Sequence, residues 1–184
     1  MSAPERDLAG VASALRATFD ASFAKAHASE PPPELDLLEI RVAEHGYALR
    51  LSQVLAVHAD RKLVPVPGPR PELLGLTGVR GVVAPVYDLR LLLGYRVEAP
   101  PRFVAQVRAP APFAVAFELF ERHLRVAEGD VTPGDGSADT AHPFASGSVK
   151  SPSGLLPLID LLAIFRDVTS KSGRPAAPAR EERR

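Results

Sequence analysis

Two aspartates that follow apolar runs are the residues best spaced for acid–base chemistry. Asp88 comes after residues 82–87, and Asp160 comes after residues 155–159. Two carboxylates of different pKa can share the acid and base roles of a hydrolase. Neither aspartate begins the Asp-Thr-Gly or Asp-Ser-Gly sequence of a catalytic dyad, so the stronger interpretation is that each caps a following helix. A hydrolase that uses Asp88 and Asp160 remains as the minor enzyme alternative.

The other residue types that could support catalysis are scattered. No two histidines have H-x-H or H-x-x-x-H spacing, and the chain has no cysteine, so the sequence shows no metal-binding motif. Neither a glycine-rich phosphate loop nor a G-x-S-x-G nucleophile elbow is present. We therefore predict no catalytic residue, no cofactor and no metal, and the sequence favours a binding module over an enzyme.

Composition restricts the partners. The 184 residues include 22 basic and 22 acidic side chains, and this neutrality argues against nucleic acid as a partner. Residues 1–10 lack the apolar core of a leader, and the apolar segments are shorter than the roughly 20 residues of a membrane helix. We expect a cytoplasmic protein without direct membrane insertion. The 19 prolines and 13 glycines predict a turn-rich chain of short elements.

Residues 1–30 have the pattern of an amphipathic helix. Ser2 and Glu5 have the spacing of a capping box, and apolar residues recur at steps of three or four. The stripe consists of Leu8, Val11, Leu15, Phe19 and Phe23. Residues 31–35 form a Pro-rich linker. The pattern favours packing of the stripe on the protein's own core, and the alternative is a helix that docks on a partner.

Residues 36–168 form a mainly β body. Residues 38–42 and 47–51 alternate apolar and polar side chains around a short turn, which is typical of a hairpin. Further short apolar runs separated by turn residues indicate small barrels or a sandwich. Residues 169–184 are polar, and we predict a disordered tail.

Two segments of this body repeat one pattern. Residues 81–93 and 154–165 share a glycine, apolar residues, a proline and an Asp-Leu pair before an apolar run. The pattern predicts a strand that passes into a short helix, with Asp88 and Asp160 as N-caps. Pro85 and Pro157 are expected at a strand end or edge, where no amide donor is needed. Two copies indicate two similar subdomains.

Residues 73–90, with the sequence LLGLTGVRGVVAPVYDLR, resemble the central motif of CheW-like domains, the adaptors of bacterial chemosensory arrays. The early hairpin and the segment from Leu155 to Phe165 are similar to the family's opening and closing elements. The resemblance implies two five-stranded SH3-like barrels packed on a common core, with short helices after barrel strands. It also implies a non-catalytic adaptor that joins the cytoplasmic tip of chemoreceptors to the regulatory domain of a CheA-type histidine kinase and contacts other CheW-like adaptors. The receptor helix is expected in a groove between the barrels.

The resemblance also assigns expected receptor-binding residues. Arg80 matches the family's arginine and either faces the receptor or braces its own loop. Gly81 permits a tight turn beside it, and Gly78 and Val79 belong to the same run. Val54 matches a receptor-contacting position, with core packing as a near-equal alternative.

Some positions depart from the family pattern. Gly78 stands where Asn is usual, Ala56 where an acid is common, Arg50 where Asp is common, and Glu118 at the usual Asp of the second-barrel motif. These departures leave two further alternatives open. One is a divergent member that binds receptors or adaptors but has weakened or lost kinase coupling. The other is an SH3-like module of an unrelated assembly, recruited through its N-terminal helix.

Overall fold

A computed structural model describes residues 15–16, 33–79, 81–96, 99–134 and 142–172. The chain divides into two units, Met1–Pro33 and Glu34–Arg184. In the first unit Leu15 lies in a helical segment and is exposed. The other residues of the predicted docking stripe, Leu8, Val11, Phe19 and Phe23, lie outside the described residues.

The described part of the second unit contains two β-sheets, two α-helices and two short 3₁₀ helices. The first sheet consists of β1 (Glu34–Val42), β2 (His45–Arg50), β8 (Leu119–Ala127), β9 (Val131–Pro133), β10 (Ala145–Ser151) and β11 (Gly154–Ile159). The second sheet consists of β3 (Val54–Ala59), β4 (Leu73–Val79), β5 (Val82–Asp88), β6 (Phe103–Val107) and β7 (Ala114–Phe117). Helix α1 is Leu89–Leu92 and α2 is Leu161–Ser172, and short 3₁₀ helices cover Leu51–Gln53 and Glu128–Asp130.

The two sheets have matching strand orders, which explains the repeated sequence pattern. The first has the order β8-β1-β2-β11-β10-β9 and the second β3-β6-β7-β5-β4. In each sheet two antiparallel strand pairs are joined by one parallel pairing, which is β2 with β11 in the first sheet and β5 with β7 in the second. The mainly β, two-sheet fold expected from the sequence is confirmed. The first sheet has six strands rather than five, because the short β9 pairs with β10.

Alternation along the strands builds three apolar clusters. Tyr47, Val115 and Ile164 belong to the largest, which draws on both sheets and on α2. Leu37 and Leu158 belong to a smaller cluster within the first sheet, and the second sheet has its own around Val86 and Val104. Successive strand residues point to opposite faces of a sheet. One face of each sheet therefore packs into the cluster shared by both sheets, and the other face packs into that sheet's own smaller cluster.

Several predicted boundaries differ from the structure. Strand β1 begins at Glu34, inside the predicted linker, and α2 continues to Ser172, four residues into the predicted disordered tail; the rest of that tail lies outside the described residues. Pro85 and Pro157 lie within internal strands rather than at an edge. In both cases the parallel pairing starts at the next residue, at Val86 and at Leu158, so the missing amide costs little there.

Candidate functional site

An apolar groove lies where the two sheets meet. Its volume is about 170 Å³, and its seven lining residues come from β1, β3, β8 and the first 3₁₀ helix: Leu38, Leu51, Val54, Leu55, Ala56, Val57 and Phe120. None of these side chains carries a charge. The arrangement suits contact with an apolar surface and provides no group for acid, base or nucleophilic chemistry.

The rim of the groove depends on local irregularities of two strands. The pairing of β3 with β6 shifts register between Val54 and Ala56, so Leu55 has no partner in the ladder, and its side chain is 41% exposed. On the facing sheet β8 shifts register against β1 between Glu39 and Ile40, and Phe120 beside this bulge is 37% exposed. Bulges re-aim side chains and are common beside functional sites.

The structure separates the residues predicted to bind a receptor. Val54 lines the groove but is buried in the shared core, so core packing accounts for its position better than direct contact. Val79 is fully buried, whereas Gly78 and Gly81 are exposed at the β4–β5 hairpin, Gly81 with a φ of 80°. None of these three hairpin residues lines the groove, and Arg80 lies outside the described residues.

Asp88 lies at the N-cap of α1 and has a second role that its sequence position does not reveal. Its Oδ1 accepts a hydrogen bond from the Arg90 amide at 3.0 Å. The Arg90 guanidinium also donates to both carboxylate oxygens, at 2.8 and 2.6 Å. Both side chains are only 3% exposed, and the hydrogen bond that Arg90 donates to Asp88 raises the pKa of Arg90. A carboxylate buried and paired in this way is poorly placed to activate water.

Asp160 precedes α2 and is tied to the groove. Its Oδ1 accepts from the Leu162 amide at 2.9 Å and from Gln53 Nε2 at 2.8 Å. The side-chain oxygen Oε1 of Gln53 in turn accepts from the Leu161 amide at 3.0 Å. Gln53 ends the 3₁₀ helix whose first residue, Leu51, lines the groove. Sequence reasoning missed Gln53, because no local motif links it to a helix more than 100 residues later.

Glu118 joins the two sheets, and sequence reasoning noted it only as a departure from the family pattern. It lies between β7 and β8, where the chain passes from one sheet to the other. Its Oε2 accepts from the Ala43 amide in the β1–β2 turn, and its Oε1 lies 3.7 Å from Arg90 Nη1. The position between two strands of different sheets is a signal that only the topology supplies.

A larger cavity of about 620 Å³ opens on the first sheet, and its lining is mixed. It includes Glu39, Arg41, Glu121, His142 and Leu155. Two of these charges are paired with each other, since Arg41 Nη2 lies 2.6 Å from Glu121 Oε1. Across the described ranges, no three His, Cys, Asp or Glu side chains gather as a metal site would require. In the same part of the chain, no helix is long and apolar enough to cross a membrane.

Comparison with known proteins gives one consistent result. The family model of the CheW-like domain matches residues 36–169. Among solved structures, the scaffolding protein TtCheW from Thermoanaerobacter tengcongensis is similar, with a TM-score of 0.65 and 19% sequence identity. The match covers 72% of this chain and 93% of that one, and at this identity it concerns the fold. None of the curated proteins compared with the chain matches it.

Proposed function

Because the chain belongs to the CheW-like domain family, we propose that it is a non-catalytic, cytoplasmic adaptor that joins chemoreceptors to a CheA-type histidine kinase in a bacterial array. The observation that carries this proposal is the apolar groove at the junction of the two sheets, lined by both. An amphipathic helix binds such a groove with its apolar face. We expect the helical tip of a receptor to occupy it.

The exposed rim provides the energetic reason for binding. Leu51, Leu55 and Phe120 are between 37% and 41% exposed, so a helix that covers them removes apolar surface from water at about 25 cal/mol per Å². The floor formed by Leu38, Val54 and Val57 belongs to or packs against the shared core. It therefore needs no rearrangement to receive a partner, which lowers the cost of binding.

Titration of the protein with a receptor tip fragment from the same genome tests the groove. We expect Leu55→Ser and Phe120→Ser to weaken binding about tenfold or more, the usual effect of removing a central apolar contact. Leu155→Ser is the matched control, because Leu155 is a 65% exposed leucine on β11, outside both the groove and the β4–β5 hairpin. Equal affinities for the groove variants and the control would refute the groove as the receptor site.

Arg80→Ala tests the expectation taken from the family motif. If Arg80 belongs to the receptor surface, its loss weakens tip binding without lowering the melting temperature. If it braces its own loop, the melting temperature falls as well. Loss of binding in Arg80→Ala with normal binding in Leu55→Ser would move the receptor site from the groove to the β4–β5 hairpin.

Kinase coupling is a separate question, because the departures at Gly78, Ala56 and Arg50 favour a divergent member as the second candidate. Binding of the CheA regulatory domain, measured beside an ordinary CheW-like adaptor, decides between the two candidates. Affinity equal to that of the ordinary adaptor supports full coupling. Binding of receptor or other CheW-like adaptors without kinase supports the divergent form, and failure to bind any of them supports an SH3-like module of another assembly.

A further inference from the structure

Arg108 lies beside the 3₁₀ helix that contributes Leu51 to the groove, and two hydrogen bonds to backbone carbonyls hold it there. It follows directly after β6, and its amide donates to the Gln53 carbonyl at 2.8 Å. Its Nε donates to the Ser52 carbonyl at 3.2 Å. Ser52 and Gln53 stand between the lining residues Leu51 and Val54. The guanidinium is therefore oriented beside the apolar rim.

The outer nitrogens of this guanidinium have no partner in the described part of the chain. No carboxylate there forms an ion pair with Arg108, and only its Nε donates from the side chain. Arg108 is exposed. The edge formed by its two terminal nitrogens is therefore free, and such a planar pair of donors matches the geometry of a carboxylate.

The carboxylates on the elements around the groove are already engaged. Glu121 pairs with Arg41, and Asp36 accepts from His123 and Arg125. Glu118 is held by the Ala43 amide and by Arg90. The rim therefore presents one fixed cation beside an apolar surface and no free anion among these groups.

We propose that the groove selects an amphipathic helix that carries a carboxylate beside its apolar face, and that Arg108 binds this carboxylate. The inference rests on the proposed function and specifies the partner's chemistry. The apolar rim supplies most of the affinity, and the Arg108 ion pair fixes the direction and register of the helix, because charged contacts contribute more to specificity than to affinity.

The test compares Arg108→Glu with Arg108→Lys in titrations with the same receptor tip fragment. We expect Arg108→Glu to weaken binding about five- to twentyfold at low ionic strength, and the loss to shrink in 0.5 M salt, where charges are screened within a few ångströms. Arg108→Lys keeps the charge but loses the Ser52 contact and the planar pair of donors, so its affinity should lie between that of the parent protein and that of Arg108→Glu. Melting temperatures show whether either variant is damaged.

Lys150→Glu is the matched control, because it makes the same charge change at an exposed site on β10 outside the groove. Tip fragments with one carboxylate at a time replaced by Lys complete the experiment. One of them should bind Arg108→Glu better than the parent fragment does. If Leu55→Ser weakens binding but Arg108→Glu behaves like Lys150→Glu, the proposed function stands and this inference fails. If neither weakens binding, the groove is not the receptor site and this inference fails with it. If the parent protein does not bind the tip fragment at all, the proposed function fails.

Discussion

Asp88→Asn should destabilise the protein far more than Asp160→Asn, although both aspartates begin the same local motif. Asparagine can still accept a hydrogen bond from the amide of the capped turn, so neither substitution removes the cap. The difference arises from the second partner. Asp88 neutralises a buried guanidinium, whereas the cation paired with Asp160 among the described residues is Arg166, whose side chain is 72% exposed.

The expected magnitudes follow from burial. Removal of one partner from a buried ion pair costs about 3–5 kcal/mol, because the remaining charge is left unpaired. The Asp88 and Arg90 side chains are each 3% exposed and approach to 2.6 Å. Glu118 Oε1 still lies 3.7 Å from Arg90 Nη1 in the variant, so Asp88→Asn falls in the lower half of this range. Asp160 is 26% exposed and lies 3.5 Å from Arg166. That contact resembles a surface pair worth at most about 1 kcal/mol.

Urea unfolding followed by circular dichroism measures both variants. With a slope of about 2 kcal/mol/M, Asp88→Asn should lower the midpoint by roughly 2 M and Asp160→Asn by less than about 0.5 M. The double variant Asp88→Asn/Arg90→Met also removes the buried positive charge, so its urea midpoint should return much of the way to that of the parent protein. Equal losses for the two single variants, or no recovery in the double variant, would refute the buried pair as the cause.

Two further predictions concern a glycine and a titrating group. Gly75→Ala should lower the free energy of unfolding by more than about 2 kcal/mol, because Gly75 has a φ of 147° and an added Cβ would meet the Val64 carbonyl oxygen. Gly78 has open space around it, so Gly78→Asn should change the melting temperature little. The hydrogen bond from Arg125 and then that from His123 hold the pKa of Asp36 below 3.8, so its stabilising effect is present above its unfolded pKa and disappears as the pH falls through the folded value. A carboxyl NMR titration should give a midpoint below 3.8 that rises in Arg125→Gln; a midpoint unaffected by that variant would contradict the assignment.

The sequence predicted local features well, because their signals are local. The hairpin of β1 and β2 follows from period-two alternation, and the strand-to-helix passages at Asp88 and Asp160 follow from one short pattern each. The match between the sheets was correctly inferred from the repeat. The family motif directed attention to Val79 as a binding residue, whereas the structure buries it.

What the sequence could not predict depends on pairs that are distant along the chain. The parallel contact of β2 with β11 joins segments more than 100 residues apart, and so do the Gln53 contacts with α2. The exposure of Leu55 comes from a bulge whose position is set by the partner strand. The cation beside the groove, Arg108, is one of many arginines in the sequence, and only its backbone contacts distinguish it.

The strand order also imposes a sequence of events during synthesis. All strands of the second sheet lie between Val54 and Phe117, so that sheet is complete while β8 to β11 are still being translated. The β1–β2 hairpin leaves the ribosome before the other strands, and its partner strands β8 and β11 lie after Phe117 in the sequence. Its apolar faces stay uncovered until those strands emerge, and aggregation competes with folding during that interval. Nascent chains stalled just after β7 should therefore be a natural target for a chaperone, whereas released chains should not.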